Sequence, residues 1–147
     1  MKRGNGIISL EDLKNYESKW RTPIVGNYRG HKVISMPPSS SGGVHLIGLL
    51  KSVEQYPLSR WGFQSDSTVR VMVEAERRIY ADRSEHLGDT DFYNVPLEML
   101  ADSTYNAQRM ASMDFSKATL SADIKPGKAP EEPEHTTHFS IVDAKGN

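Results

Sequence analysis

Residues 136–147 read TTHFSIVDAKGN, an alternating stretch that is typical of a half-buried β-strand followed by a turn. Thr137, Phe139 and Ile141 alternate with polar residues, and residues 143–147 have the composition of a tight turn. Such a turn predicts a second strand, and no residue follows it in this sequence. We therefore expect the partner strand to belong to a longer polypeptide.

The composition limits the classes of protein to consider. The chain has 147 residues and a formal net charge of -1, so it suits one domain or a piece of a larger one. Its balanced charge predicts neither a nucleic-acid partner nor an anionic membrane surface. It contains no run of about 18 apolar residues, so we expect no membrane span in this segment. The absence of cysteine excludes disulfides, thiolate metal sites and cysteine nucleophiles.

Two short elements are predicted near the start of the chain. Ser9 and Asp12 have the spacing of a capping box, and apolar residues follow at helical intervals, which predicts a helix over about residues 10–19. Two β-rich runs then flank Arg29-Gly30. This pattern predicts a hairpin whose turn is centred on that pair.

A Gly/Ser-rich turn precedes an apolar helix. Ser41, Gly42 and Gly43 predict a tight turn and cap, and Pro57 should end the helix that follows. Because helix N-termini favour negative charge, the turn at residues 39–43 could hold an anion. It lacks the lysine of a phosphate loop, so an ordinary strand-to-helix turn is the alternative.

The longest helical pattern begins near Ser65-Asp66, where either residue can cap, and Gly88 is suited to its C-terminal end. We expect one apolar stripe to be buried, made of Val69, Met72, Val73, Ile79, Tyr80 and Leu87. Pro96 can open a further helix, and residues 118–135 form a Pro-rich loop.

Acidic side chains cluster around the end of the long helix, and they leave two interpretations open. A carboxylate pair there could do acid/base work or hold a cation, or the charges could cap and solvate the helix terminus. The five histidines show no paired spacing typical of a metal site, so no metal ion is expected. The residues that bracket the end of the helix are the acidic cluster, Asp82, Glu85, Asp89 and Asp91, and the basic Arg83.

Five motifs in order closely resemble the bacterial γ-glutamyltranspeptidases, also called glutathione hydrolases. They are NGIISLEDL, YRGHKVISMPPSSSGGVH, EAERRIYADRSEHLGDTDF, IKPGK and TTHFSIVDAKGN, and the likeness covers essentially the whole chain. The resemblance implies an α+β fold, a helix-rich fragment of the four-layer αββα sandwich of N-terminal nucleophile hydrolases. It also implies a precursor that cuts itself into a large and a small subunit.

The resemblance places residues 1–135 in the C-terminal part of the large subunit and residues 136–147 in the first strand of the small subunit. The bond between His135 and Thr136 would be cut, and Thr136 would be the catalytic nucleophile. The implied partners are the rest of the precursor, glutathione and other γ-glutamyl compounds, and amino-acid or peptide acceptors. No cofactor is implied, and a periplasmic or secreted location is expected.

The resemblance also implies that other parts of the site lie outside these residues. The substrate-binding arginine would lie upstream, and the oxyanion residues and a second supporting threonine would lie downstream. We therefore expect the chain alone to be inactive. A related acylase that acts on cephalosporin, glutaryl or polyglutamate substrates is an alternative, and so is a segment that is only scaffold.

Overall fold

The computed structural model describes residues 2–129, which form a mixed helical structure with one small antiparallel sheet. The predicted α+β class is confirmed, and the predicted strand at residues 136–143 lies outside the described residues. Short 3₁₀ helices cover Lys2–Gly4 and Ser121–Asp123. The other elements are α1 Leu10–Asn15, β1 Ile24–Tyr28, β2 His31–Ser35, α2 Gly42–Val53, α3 Leu58–Trp61, α4 Asp66–His86, α5 Leu97–Ala101 and α6 Ser103–Met110.

Helix α1 begins with the predicted capping box. The Ser9 hydroxyl accepts a hydrogen bond from the Asp12 amide at 3.1 Å, and the Asp12 carboxylate accepts one from the Ser9 amide at 2.7 Å. The helix ends at Asn15, several residues before the predicted end, and none of its residues is buried. Short helices gain most of their stability from tertiary packing, so an exposed one does not extend.

The predicted hairpin is confirmed. Strands β1 and β2 pair antiparallel, with Tyr28 opposite His31 and the turn at Arg29-Gly30. Both turn residues have positive φ, 47° and 82°, as a type I′ turn requires. The backbone amide of Arg29 donates to the Glu54 carboxylate at 2.8 Å, which ties the turn to the end of α2.

The turn before α2 differs from the prediction in its cap. The Ser41 side chain makes no capping hydrogen bond, and the Ser40 hydroxyl accepts from the Gly42 amide instead, at 3.3 Å. Gly43 lies against the backbone just after β2, so a Cβ there would collide with the Met36 carbonyl oxygen. The turn therefore requires glycine at one particular position.

Helix α2 is also shorter than predicted at its C-terminal end. It ends at Val53, four residues before Pro57. Pro57 precedes the short helix α3, which was not predicted from the sequence.

Helix α4 begins where predicted, since Ser65 accepts a hydrogen bond from the Thr68 amide at 3.3 Å. The predicted apolar stripe is wrong: of its six residues only Ile79 is buried, and Leu87 is half-buried. The predicted role of Gly88 is also wrong, because its φ is not positive and Leu87 ends the helix in extended conformation. The buried face of α4 is made instead of Val71, Glu74, Ala75, Arg78, Ile79, Asp82 and His86.

The helix predicted after Pro96 is split in two. Asp102 separates α5 from α6, and its side chain accepts from the Tyr105 amide at 2.7 Å. An aspartate that caps a new helix competes with continuation of the old one. The buried Asn106 amide secures the break by donating to the carbonyls of Leu100 and Asp102 at 3.0 and 2.7 Å.

The core lies around α2, which contacts α4, α5, α6 and both strands. One buried cluster joins α2, α4 and α6 through Val53, Val71, Ala75 and Met110, and a second joins α2 to α5 through Val44, Val95 and Leu100. Among the helices described for residues 2–129, none combines the length and the apolar character needed to cross a membrane.

Candidate functional site

A row of four polar side chains occupies the buried face of α4. Glu74, Arg78, Asp82 and His86 recur every four residues, which places them above one another on one side of the helix. They are between 1% and 8% exposed. We call these four residues the polar ladder; buried charges of this kind need partners.

The first half of the ladder is an ion pair that holds Thr119. Arg78 Nη1 lies 2.5 Å from a Glu74 carboxylate oxygen. The Thr119 amide and hydroxyl donate to the same carboxylate at 3.1 and 2.6 Å. Burial alone would raise the pKa of Glu74, but the hydrogen bonds from Thr119 and Arg78 outweigh it and hold the pKa at about 2.

Arg78 uses its remaining donors to connect α4 to α6 and to the chain beyond it. Its Nε donates to the Arg109 carbonyl at 2.7 Å, and Nη2 donates to the hydroxyls of Ser112 and Thr119 at 2.9 and 3.3 Å. A guanidinium group offers five donors in a fixed plane, so one side chain can join several segments.

Asp82 is the centre of the second half. Its carboxylate accepts from the Gly127 amide at 2.7 Å and from the Tyr105 hydroxyl at 2.8 Å, and it pairs with Arg109 at 2.9 Å. Burial and the hydrogen bond to Asp82 both raise the pKa of Tyr105. The phenol therefore stays protonated and serves as a donor to the carboxylate.

His86 completes the ladder at the end of α4. Its Nε2 lies 2.6 Å from the Gly127 carbonyl oxygen. A carbonyl oxygen can only accept, so Nε2 carries the proton in this hydrogen bond. Asp82 and His86 thus hold the amide and the carbonyl of the same residue.

Together these contacts fix the segment 117–129 along α4. It is held at Thr119 by Glu74, at the Lys125 carbonyl by Arg109 at 2.7 Å, and at Gly127 by two ladder residues. Within the predicted loop at residues 118–135, the described part contains one short 3₁₀ helix, Ser121–Asp123, and is extensively hydrogen bonded to the helices. The predicted site residues His135 and Thr136 follow this segment and lie outside the described residues.

A cavity of about 730 Å³ lies beside the end of this segment. The lining residues are His86, Asn94, Ala129, Tyr93 and Val95–Met99. The cavity therefore adjoins His86, the last residue of the polar ladder.

The acidic cluster is divided among different partners. Asp82 belongs to the ladder, whereas Asp91 pairs with Arg21 at 2.8 Å and Lys19 at 3.2 Å. Hydrogen bonds from Arg21, then from Lys19, lower the pKa of Asp91 to about 2. Within residues 2–129 no group of three or more His, Asp or Glu side chains is arranged to hold a metal ion.

The Gly/Ser-rich turn at residues 39–43 leads from β2 to α2, as the strand-to-helix interpretation predicts. Next to it, burial and then the charge of Arg83 lower the pKa of His45. In the described part of the chain, Nε2 of His45 is buried without a hydrogen-bond partner. Neither feature brings two reactive groups together.

Sequence reasoning missed the ladder because it searched for apolar periodicity. The signal was present: Glu74, Arg78, Asp82 and His86 recur at intervals of four, next to Val71, Ala75 and Ile79 at the same interval. A charged row beside an apolar row with the same interval is consistent with a buried face in which each charge has a partner.

Three comparisons, two of sequence and one of structure, show which known proteins this chain resembles. The sequence model of the gamma-glutamyltranspeptidase family matches residues 1–147. The glutathione hydrolase proenzyme of Escherichia coli (strain K12) is 46% identical over 148 residues, covering 100% of this chain and 26% of that protein. The crystal structure of Helicobacter pylori gamma-glutamyltranspeptidase matches with a TM-score of 0.83 and 43% identity, over 90% of this chain and 38% of that one.

An acylase is also related. The acylase ACY 1 proenzyme of Pseudomonas sp. (strain SE83) is 36% identical over 148 residues, covering 100% of this chain and 26% of that protein. The chain thus spans about a quarter of the length of the curated relatives it matches. The fold agrees with the N-terminal nucleophile hydrolase fold implied by the resemblance. With its whole length matched by the family, the chain belongs to the gamma-glutamyltranspeptidases.

Proposed function

We propose that this chain is part of a precursor that becomes a γ-glutamyltranspeptidase with Thr136 as its nucleophile. The observation that carries the proposal is the family match over the whole chain, together with relatives named glutathione hydrolase proenzymes. In this proposal residues 1–135 end the large subunit and residues 136–147 begin the small one. The partner is the rest of the same precursor.

The first step is self-cleavage. The Thr136 hydroxyl oxygen attacks the carbonyl carbon of His135, the bond from that carbon to the Thr136 nitrogen breaks, and the hydroxyl proton passes to the freed amine. Water then hydrolyses the resulting ester. The products are the His135 carboxylate and a threonine with a free α-amino group, which is the activated form of such a nucleophile.

The second reaction uses the new N-terminus. The Thr136 hydroxyl attacks the γ-glutamyl amide of glutathione or a related compound, and the α-amino group takes up the proton and gives it to the leaving amine. The γ-glutamyl group is then held as an ester on Thr136. Water, an amino acid or a peptide accepts it in the last step.

The test requires the full precursor that carries this chain. After incubation at neutral pH, intact-mass measurement should show two pieces that meet at the bond between His135 and Thr136. Release of aniline from a γ-glutamyl anilide should accompany the cut. Thr136→Ala should abolish both reactions, whereas Thr136→Ser keeps a hydroxyl and should retain part of each. An uncut wild-type precursor, or a Thr136→Ala variant with full activity, would overturn the proposal.

A second candidate is acylase activity, which the 36% identity to acylase ACY 1 favours. The two candidates differ in their acyl group, since a glutaryl group lacks the α-amino group of γ-glutamate. The processed protein should therefore be assayed on matched γ-glutamyl and glutaryl anilides. A higher kcat/KM on the glutaryl compound would support the acylase and reject the transpeptidase.

We also propose a periplasmic or secreted location, which is expected for a bacterial member of this family. Fractionation of cells that express the full precursor tests it. Recovery of the protein with the cytoplasmic fraction would contradict this location.

A further inference from the structure

Gly127 is held on both sides of its own backbone. Asp82 accepts from its amide at 2.7 Å, and His86 Nε2 donates to its carbonyl at 2.6 Å. Both side chains are buried and both come from the rigid helix α4. We call this pair of contacts the Gly127 clamp.

The fit at Gly127 is close. A Cβ at this position would collide with the hydroxyl of Tyr105, the same hydroxyl that donates to Asp82. A side chain of any size here would therefore displace a partner of the clamp. The close fit and the two hydrogen bonds together hold the backbone of Gly127 against α4 and α6.

We propose that Asp82 and His86 are positioning residues for self-cleavage, because they fix the chain nine residues before the Thr136 nucleophile. The inference rests on the proposed function. Neither side chain acts on the reacting atoms, and both act through the backbone that they hold. Their effect is to limit where the bond between His135 and Thr136 can lie.

The clamp is not the last contact that holds this part of the chain, because Arg109 also donates to the Lys125 carbonyl at 2.7 Å. Loss of the clamp moves the last described anchor back by two positions only, from Gly127 to Lys125, so chain length by itself should change the cleavage rate little. The expected effect is on orientation, since a misplacement of about 1 Å can cost about 100-fold in rate. We therefore expect self-cleavage to slow by about 10-fold to 100-fold.

After the cut, the clamp holds only the large-subunit side of the broken bond. The reaction on γ-glutamyl substrates uses the free Thr136, which is no longer attached to the clamped segment. Loss of the clamp should therefore slow maturation and leave the mature reaction nearly unchanged. A purely structural role would reduce both reactions together.

The experiment uses the full precursor with a matched pair of substitutions at His86. In His86→Gln the side-chain amide can still donate to the Gly127 carbonyl, and in His86→Leu no donor remains. Asp82→Asn and Asp82→Ala form a second pair, in which only asparagine keeps an acceptor for the Gly127 amide. Glu85→Ala, an exposed change on the same helix, is the control. Cleavage rate is measured by intact mass, and folded content by circular dichroism.

A bypass, in which the protein is made without the need for cleavage, separates an effect on the position of the cleaved bond from an effect on folding. The two subunits are coexpressed as separate chains that meet at residues 135 and 136, so no cleavage is needed. We expect His86→Leu to slow cleavage in the precursor and His86→Gln to cleave within about threefold of the wild-type rate. The bypassed His86→Leu protein should keep kcat and KM within about twofold of the bypassed wild type.

Four results decide the matter. A His86→Leu precursor that cleaves at the wild-type rate would overturn the inference, and so would a bypassed variant that loses kcat in proportion to its folded content. If the wild-type precursor does not cleave while the bypassed wild type is active, the inference falls together with the proposed self-cleavage, and only the reaction on γ-glutamyl substrates stands. If both are inactive on γ-glutamyl substrates, the proposed function fails as well.

Discussion

The carboxylate of Asp82 and the amide of Gly127, separated by 45 positions in the sequence, form a hydrogen bond of 2.7 Å. It is one of several bonds through which α4 holds the segment 117–129 by charge and hydrogen bonding instead of apolar contact. Removing one partner of a buried pair is far more harmful than removing an exposed one, because the other charge is left without compensation. The difference in unfolding free energy between the two kinds of variant is measurable.

We expect Glu74→Ala to lower the free energy of unfolding by about 3–5 kcal/mol, since Arg78 would remain buried without its carboxylate. The matched control is Glu76→Ala on the exposed face of the same helix, which should change stability by less than about 0.5 kcal/mol. Urea unfolding followed by circular dichroism measures both. Equal urea midpoints for the two variants would show that the buried ion pair contributes no more to stability than an exposed residue does.

Low pH should reduce the stability contributed by the ion pair of Glu74 and Arg78. The pKa of Glu74 is about 2 in the folded chain, below its usual 4.5, so its contribution is complete above about pH 4.5 and is lost as the pH falls towards 2. Over that range the unfolding free energy of the wild type should fall more steeply than that of Glu74→Gln. Parallel curves down to pH 2 would contradict the lowered pKa.

The two glycines at the start of α2 should respond in opposite directions to alanine. Gly43→Ala places a Cβ against the Met36 carbonyl and 2.7 Å from Ile24 Cγ2, which should cost about 1–3 kcal/mol. At Gly42 the nearest atom is the Ser40 hydroxyl oxygen at 3.6 Å, so alanine fits and should stabilise by up to about 1 kcal/mol. Thermal unfolding compares them; a stable Gly43→Ala variant would refute the close approach.

The 147-residue chain by itself should neither cut itself nor release aniline from a γ-glutamyl anilide. The resemblance places the oxyanion donors and the supporting threonine outside these residues, and loss of one such donor commonly costs about 100-fold to 1000-fold. Intact mass after days at neutral pH should show one uncut species. A cut between His135 and Thr136 would mean that the residues present are sufficient to activate Thr136.

Local rules predicted the local elements. The capping box of α1, the hairpin turn at Arg29-Gly30 and the start of α4 at Ser65 depend on residues a few positions apart, and the structure confirms all three. The α+β class and the family follow from the same kind of information, because the motifs are contiguous. Elements that depend on residues a few positions apart can be predicted from the local sequence.

The buried face of α4 was not predictable in this way. Its stripe was assigned to Val69, Met72 and Val73 because they are apolar, yet all three are exposed. Arg78 and Asp82 are buried there because each has several partners. Glu74 lies four positions from Arg78 on the same helix, whereas the Arg109 carbonyl and the Gly127 amide come from residues 31 and 45 positions away. The sequence of α4 indicates the ion pair but not these distant partners.

The polar ladder also bears on the order of synthesis. Arg78 is made 41 positions before Thr119, so at about 5–20 residues per second the helix waits about 2–8 s for the segment that covers it. An apolar stripe exposed for that time on a nascent chain would invite aggregation, whereas a row of charged side chains is hydrated while it waits. The ladder thus gives α4 a face that is hydrated while the chain is still on the ribosome and becomes buried once the segment 117–129 has been made.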